Sequence, residues 1–159
     1  MSGTLRNLMF SGLTCGLLFG ALSAQNALAQ NYAPRQYYSD WQKAPPGQAN
    51  YTYRKYYYKP TPDYAGYRVH EVRRFEEKPG YDYYYNKKTD KYWGRCPTVC
   101  EGKPQYSLLK PEDRHNDLNK IPESAFPPLG KLPPIPESDP REGATLDLPP
   151  EDAPAFPVR

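Results

Sequence analysis

Cysteine, histidine and paired carboxylates are the side chains in this sequence with the reach to do chemistry, and each is sparse. Cys96 and Cys100 enclose Pro97-Thr98-Val99, a spacing of three residues. Thioredoxin-like redox pairs keep two residues between their cysteines and open a helix that lowers one thiol pKa; no helix start follows Cys100. Two cysteines this close in an oxidising compartment most simply bond to each other, so a disulfide pinning a strand end is expected. Thiol-redox use of Cys96 and Cys100 stands as an alternative. His70 and His115 are the only histidines, in unlike contexts, and supply no metal-ligand spacing. No Gly-x-Ser-x-Gly or His-Glu-x-x-His pattern occurs, and no cysteine pair is followed by histidine as haem attachment requires. Glu76-Glu77, Glu112-Asp113 and Glu151-Asp152 sit in solvated settings. The sequence therefore predicts no catalytic residue, no metal and no cofactor.

The compartment follows from the first residues. Arg6 is the one charge before an apolar run from Leu8 to about Ala24, and Gln25-Asn26-Ala27-Leu28-Ala29 puts small residues three positions and one position before a cut after Ala29. This pattern predicts a secretory leader, with a mature chain starting at Gln30. Ser11, Gly12, Thr14, Gly16 and Gly20 dilute the run, which is short for a span, so no stable membrane span is expected after cleavage. Cys15 lacks the preceding apolar stretch of a lipoprotein site. A periplasmic, envelope-associated or extracellular protein is predicted.

Composition then dictates the kind of core. From Asn31 to Ser107 there is no Leu, Ile or Met, and Val69, Val72 and Val99 are the only aliphatics larger than alanine. All 16 tyrosines lie in or near this stretch, with Trp41, Trp93 and Phe75. A core here must be aromatic, and each buried phenol must find a partner. Charge divides too: about 13 basic against 7 acidic residues to Cys100, and about 7 against 11 beyond it. The mature net charge of about +2 is too small for a phosphate-binding footprint, so nucleic acid is not an expected partner.

The elements that would position these groups read as mainly β: a small antiparallel aromatic-rich sheet built on a hairpin at about 81–96. Residues 30–63 read as irregular because Pro34, Pro45, Pro46, Pro60 and Pro62 interrupt them, with Tyr51–Tyr58 the one candidate strand. The folded module spans 64–107. Within it, Tyr67 to Glu76 is extended without clean alternation, which suggests a bulge there. Lys78-Pro79-Gly80 is a turn. Tyr81 to Tyr85 is a strand with Tyr81, Tyr83 and Tyr85 on one face and Asp82 and Tyr84 on the other. Asn86 to Asp90 turns the chain, and Lys91 to Cys96 returns. Residues 108–159 form a Pro-rich acidic tail with 14 of the 20 prolines falling from Pro97 onward. One short helix is expected from Pro111, with Leu118 and Ile121 as its apolar face.

Tyr83-Tyr84-Tyr85-Asn86-Lys87-Lys88-Thr89, with Trp93 and Pro97, resembles the second and third strands of a WW domain, a module that grips proline-rich peptides on aromatic rings. The chain differs in lacking an earlier tryptophan at the usual distance and in placing Trp93 one residue nearer the turn. More of the chain, including Tyr92-Trp93-Gly94-Arg95-Cys96, Ile121-Pro122-Glu123-Ser124-Ala125-Phe126 and Pro133-Pro134-Ile135-Pro136, is similar to small uncharacterised exported proteins of planctomycete-type bacteria. That resemblance implies export. The expected function is a non-enzymatic interaction or envelope-associated protein. An aromatic surface using Tyr83, Tyr84, Tyr85, Tyr92 and Trp93 to hold polysaccharide or an extended Pro-rich peptide is the alternative. The tail is expected to pack across the sheet, with Phe126, Leu132 and Ile135 over Tyr83, Tyr85 or Trp93.

Overall fold

The computed structural model describes residues 33–48, 50–100 and 104–150. The expected leader, with its expected cut after Ala29 and before Gln30, lies outside these residues. The fold is mainly β: an antiparallel seven-stranded sheet in which β1 (Gln36–Tyr38) and β2 (Gln42–Lys43) both pair with one edge of β3 (Tyr51–Tyr58). A meander continues through β4 (Arg68–Phe75), β5 (Tyr81–Asn86), β6 (Lys91–Pro97) and β7 (Ser107–Leu108).

The segment expected to be irregular, 30–63, thus contributes three strands. Its prolines all fall in connections, where no ladder donor is needed, and the aromatic run Tyr51–Tyr58 pairs over its full length with β4. The alternation on β3 buries Tyr56 and Tyr58 on one face, beside Val72 and Tyr84, and turns Tyr57 to the other.

The bulge lies elsewhere than the sequence suggested. β4 keeps an unbroken register with β3, whereas between β5 and β6 Tyr84 opposes Gly94 and Tyr85 opposes Tyr92, leaving Trp93 as the extra residue. Tyr92 therefore stays with Tyr83 and Tyr85, while Trp93 joins Tyr84 and Cys96 on the opposite face. Gly94 is required at this spot. A Cβ there would stand 2.4 Å from Cε1 and the hydroxyl of Tyr106, whose ring lies against the bulge.

The tail covers both faces instead of one. Leu109, Leu118, Ile121 and Phe126 pack on Tyr83, Tyr85 and Tyr92; Ile135 and Leu146, with Tyr106 from just before the tail, pack on Tyr56, Tyr58, Val72, Tyr84 and Trp93. Phe126 meets Tyr83 edge-on at 6.0 Å, and Leu132 and Ile135 lie on the Trp93 side. Gly130 and Tyr106 exchange backbone hydrogen bonds of 2.9 and 3.1 Å between these two groups of contacts. The single helix expected from Pro111 is replaced by four 3₁₀ turns, at Pro111–Asp113, Leu118–Lys120, Glu123–Ala125 and Pro140–Glu142. Closely spaced prolines cannot sustain i to i−4 bonding but allow one tight turn at a time. Leu118 and Ile121 are buried, as an apolar pair should be.

Candidate functional site

The five rings singled out for binding are core. Tyr83, Tyr84, Tyr85, Tyr92 and Trp93 are 3%, 0%, 7%, 3% and 6% exposed, so none presents a flat surface to a partner. Their neighbours account for this. Trp93 and Tyr84 lie against the Tyr106 ring at 5.5 and 5.2 Å. Tyr85 and Tyr92 flank the Arg73 guanidinium, which sits 3.6 Å from the Tyr85 centroid, donates to the Tyr92 hydroxyl at 3.1 Å and pairs with Glu71. Tyr84 donates to the Tyr38 hydroxyl at 2.9 Å, since Tyr38 gives its own proton to the Asp147 carbonyl at 2.5 Å. The Tyr84 and Tyr38 phenols and the Asp147 carbonyl thus satisfy one another in one chain of bonds.

Cys96 and Cys100 are free thiols in the structure rather than the expected disulfide. Cys96 is buried in the cluster with Tyr84 and Trp93, while Cys100 is only half-buried, its Sγ 3.9 Å from the Pro97 carbonyl. Burial pushes the Cys96 thiol far up, and the charges of Asp82 and Cys100 add to this. A thiol so held is a weak nucleophile. Among the described residues no group of three or more histidine, cysteine or acidic side chains could hold a metal, and no helix is long and apolar enough to cross a membrane.

The solvent-facing aromatic cluster comes from the segment the sequence reading set aside. Pairing of β1 with β3 puts Tyr37 opposite Tyr57, and their rings stack at 4.6 Å with planes 6° apart. Tyr67, from the β3–β4 connection, meets both edge-on at 4.9 and 6.3 Å. Its hydroxyl donates to the Pro34 carbonyl at 2.7 Å, and Lys59 Nζ sits 5.1 Å above its ring. Val69 stands opposite Tyr57 on β4 and, like Tyr37, is 38% exposed. Lys55 projects from the same face of β3, two residues from Tyr57. The Tyr37 and Tyr57 hydroxyls have no partner among the described residues, and desolvation followed by the Tyr57 and Tyr67 phenols raises the Tyr37 pKa. Tyr37 therefore remains a hydrogen-bond donor across the neutral range. The pattern available in the sequence was the doublet Tyr37-Tyr38 set against Tyr56-Tyr57-Tyr58: two runs that pair ring on ring once they are antiparallel.

A second feature lies on the other face. Between His70 of β4, Trp93 of β6 and the tail segment Pro133–Ser138 is a cavity of about 280 Å³. His70 Nε2 lies 3.2 Å from the Tyr58 hydroxyl, which donates to Glu137 at 3.1 Å. Burial first, and then the positive Arg68, hold His70 at about 4, so it is neutral. Its Nδ1, and the Nε1 of Trp93, are buried without partners. Comparison of the chain with protein-family models, with curated proteins and with solved structures found no match.

Proposed function

We propose that this chain is an exported, non-enzymatic binding protein that holds an acidic polysaccharide of the cell envelope on the Tyr37–Tyr57–Tyr67 platform. The observation that carries this reading is the stacked pair of exposed Tyr37 and half-buried Tyr57, with both phenols unpaired among the described residues and Tyr67 braced against them. Aromatic rings offer apolar C–H-binding surface at low entropic cost, and the free phenols supply hydrogen bonds to sugar hydroxyls. Lys55 and Lys59 beside the rings favour a polymer carrying carboxylates, an attraction that salt weakens. The buried, poorly nucleophilic Cys96 and the lack of any metal-ligand group among the described residues leave the platform better supported than a thiol-based activity.

The test is affinity electrophoresis of the purified protein in gels containing alginate or a neutral β-glucan. Alginate should retard the protein, the glucan should retard it less, and Tyr37→Ala with Tyr57→Ala should weaken alginate binding about tenfold or more while the melting temperature moves little. Equal mobility in both gels, or full retardation of the double variant, would overturn the reading.

A further inference from the structure

Among the described residues, pairs of tyrosine rings stack face to face at Tyr38–Tyr56, Tyr56–Tyr58 and Tyr37–Tyr57. The first two, at 5.0 and 5.2 Å, belong to the core: Tyr56 and Tyr58 are 0% and 1% exposed, and their hydroxyls are bound to Gln36 and Glu137. Tyr37–Tyr57 differs. Its rings are nearer and more nearly parallel, at 4.6 Å and 6°, and Tyr37 is exposed. The Tyr57 hydroxyl, half-buried residue though it belongs to, has no partner among the described residues and is not closed off, so its phenolic proton has water to leave to.

That geometry suits one reaction. A tyrosine that loses an electron and its phenolic proton becomes a phenoxyl radical, whose unpaired spin sits partly on the two ring carbons next to the oxygen-bearing one, in orbitals that project above and below the ring. Stacked rings aim those orbitals at each other, and rings in such a stack are in van der Waals contact, about 3.5–4 Å between carbons. An edge-on ring presents hydrogens instead. Tyr67, at 86° and 88° to the two, is therefore a neighbour and not a coupling partner. Competing reductants are few. Methionine occurs only at Met1 and Met9, Cys96 is buried, and Cys100 is half-buried.

We propose that Tyr37 and Tyr57 are a site of oxidative modification, joined by a haem peroxidase and hydrogen peroxide into one dityrosine that fastens β1 to β3. Each phenol gives up one electron and one proton, the peroxide takes them from both and becomes two waters, and a carbon–carbon bond forms between ring carbons next to the hydroxyl-bearing ones. The hydrogen on each newly bonded carbon moves to its ring's oxygen, so both phenols are restored and the protein is lighter by two hydrogens. β1 is a strand that gains from such a bond. It is three residues long, stands at the end of the sheet order and pairs there with β3 alone. The coupling needs no polysaccharide, so it does not rest on what the platform holds.

The experiment treats the folded protein, with Cys100 alkylated, with a haem peroxidase and limiting hydrogen peroxide. Tryptic digestion should release one new species with dityrosine fluorescence that joins residues 36–43 to 56–68, and fragmentation should place the bond at Tyr37 and Tyr57. The oxidised protein should elute from gel filtration at the size of the untreated one and melt several degrees higher, because the bond closes a loop in the unfolded chain. Tyr37→Phe and Tyr57→Phe keep the ring but have no phenolic hydrogen to give, and each should remove the species; Tyr67→Phe should leave its yield unchanged. Absence of the linked species overturns the proposal. So do its full yield in Tyr37→Phe, its loss in Tyr67→Phe, coupling found only between copies, and a linked protein that melts no higher than the parent. The readout is a covalent product formed without any polymer, so failure here and failure of alginate binding are told apart.

Discussion

Replacing Gly94 by alanine tests whether the β5–β6 bulge and the Tyr106 ring form one unit. The added methyl would meet Tyr106 Cε1 and its hydroxyl at 2.4 Å and Cζ at 2.6 Å. Ordinary carbon contacts begin near 3.5 Å, so the ring would have to withdraw by about 1 Å. It has nowhere to go: Tyr106 is 2% exposed, with Trp93 and Tyr84 against it. Overpacking of this kind costs about 1–3 kcal/mol, and partial loss of the ring's own contacts adds to it. Against that, alanine restricts the unfolded chain and returns about 0.5–1 kcal/mol. The net expectation is a loss of about 2 kcal/mol, read by urea unfolding with tryptophan fluorescence as the probe. Tyr106→Ala alone should cost about 3–5 kcal/mol. In the double variant the vacated ring space accommodates the methyl, so adding Gly94→Ala to Tyr106→Ala should cost almost nothing, a coupling of about 2 kcal/mol. A Gly94→Ala protein within about 0.5 kcal/mol of the parent, or strict additivity in the cycle, would refute the account of the bulge.

Further outcomes follow from other contacts. His70 is held near 4 in the folded protein against an ordinary value near 6.5, so it contributes stability above pH 6.5 that is lost as pH falls toward 4. That loss should reach about 3 kcal/mol, measured by urea unfolding at stepped pH, and His70→Gln should flatten the profile between pH 6.5 and 4.5. Tyr106→Phe removes a buried hydroxyl that has no partner, so the variant should melt no lower than the parent and gain up to about 1 kcal/mol. Two arginine–carboxylate pairs with similar forks should behave differently. Asp82→Asn strands the Arg74 guanidinium, which makes two bonds of 2.7 Å in a buried site, and should cost about 3–5 kcal/mol. Glu123→Gln leaves Arg95, itself 7% exposed, without its carboxylate, but because the glutamate is 74% exposed and water can replace it, the cost in the same thermal melt should be smaller, about 1–2 kcal/mol.

The tyrosine alternation of 81–85, the polar turn after it and the return strand were legible because a strand has a period of two and those residues are dominated by one side-chain type. So was the need for an aromatic core. Exposure was not legible, since a tyrosine fits a wet surface and a dry interior equally well and only the covering segment decides. Leu109, Leu118, Ile121 and Phe126 decide it for Tyr83, Tyr85 and Tyr92. The extent of the sheet was underestimated because proline spacing was read as a bar to strands, when Pro34, Pro45 and Pro60 lie just outside them. Trp93's face depended on a one-residue bulge, which reverses every side chain beyond it and leaves no mark in the sequence except Gly94. The platform was missed for a related reason: Tyr37 and Tyr57 become neighbours only through a strand pairing.

The tail's contacts with β1 bear on when the molecule can fold. Arg35 reaches Glu142 at 2.6 Å, Gln36 reaches the Thr145 carbonyl at 2.8 Å and Tyr38 reaches that of Asp147, spanning 107, 109 and 109 positions of sequence. Leu146, fully buried against rings of β3 and β5, is placed by the same segment. A chain emerging in order from its N-terminus holds β1 to β6 with both aromatic faces uncovered until the segment from Leu109 to Leu146 arrives. Such a chain cannot close both aromatic faces until the segment that reaches Asp147 has been made, so its sheet and its covering segment form one late, long-range folding step rather than a series of local ones.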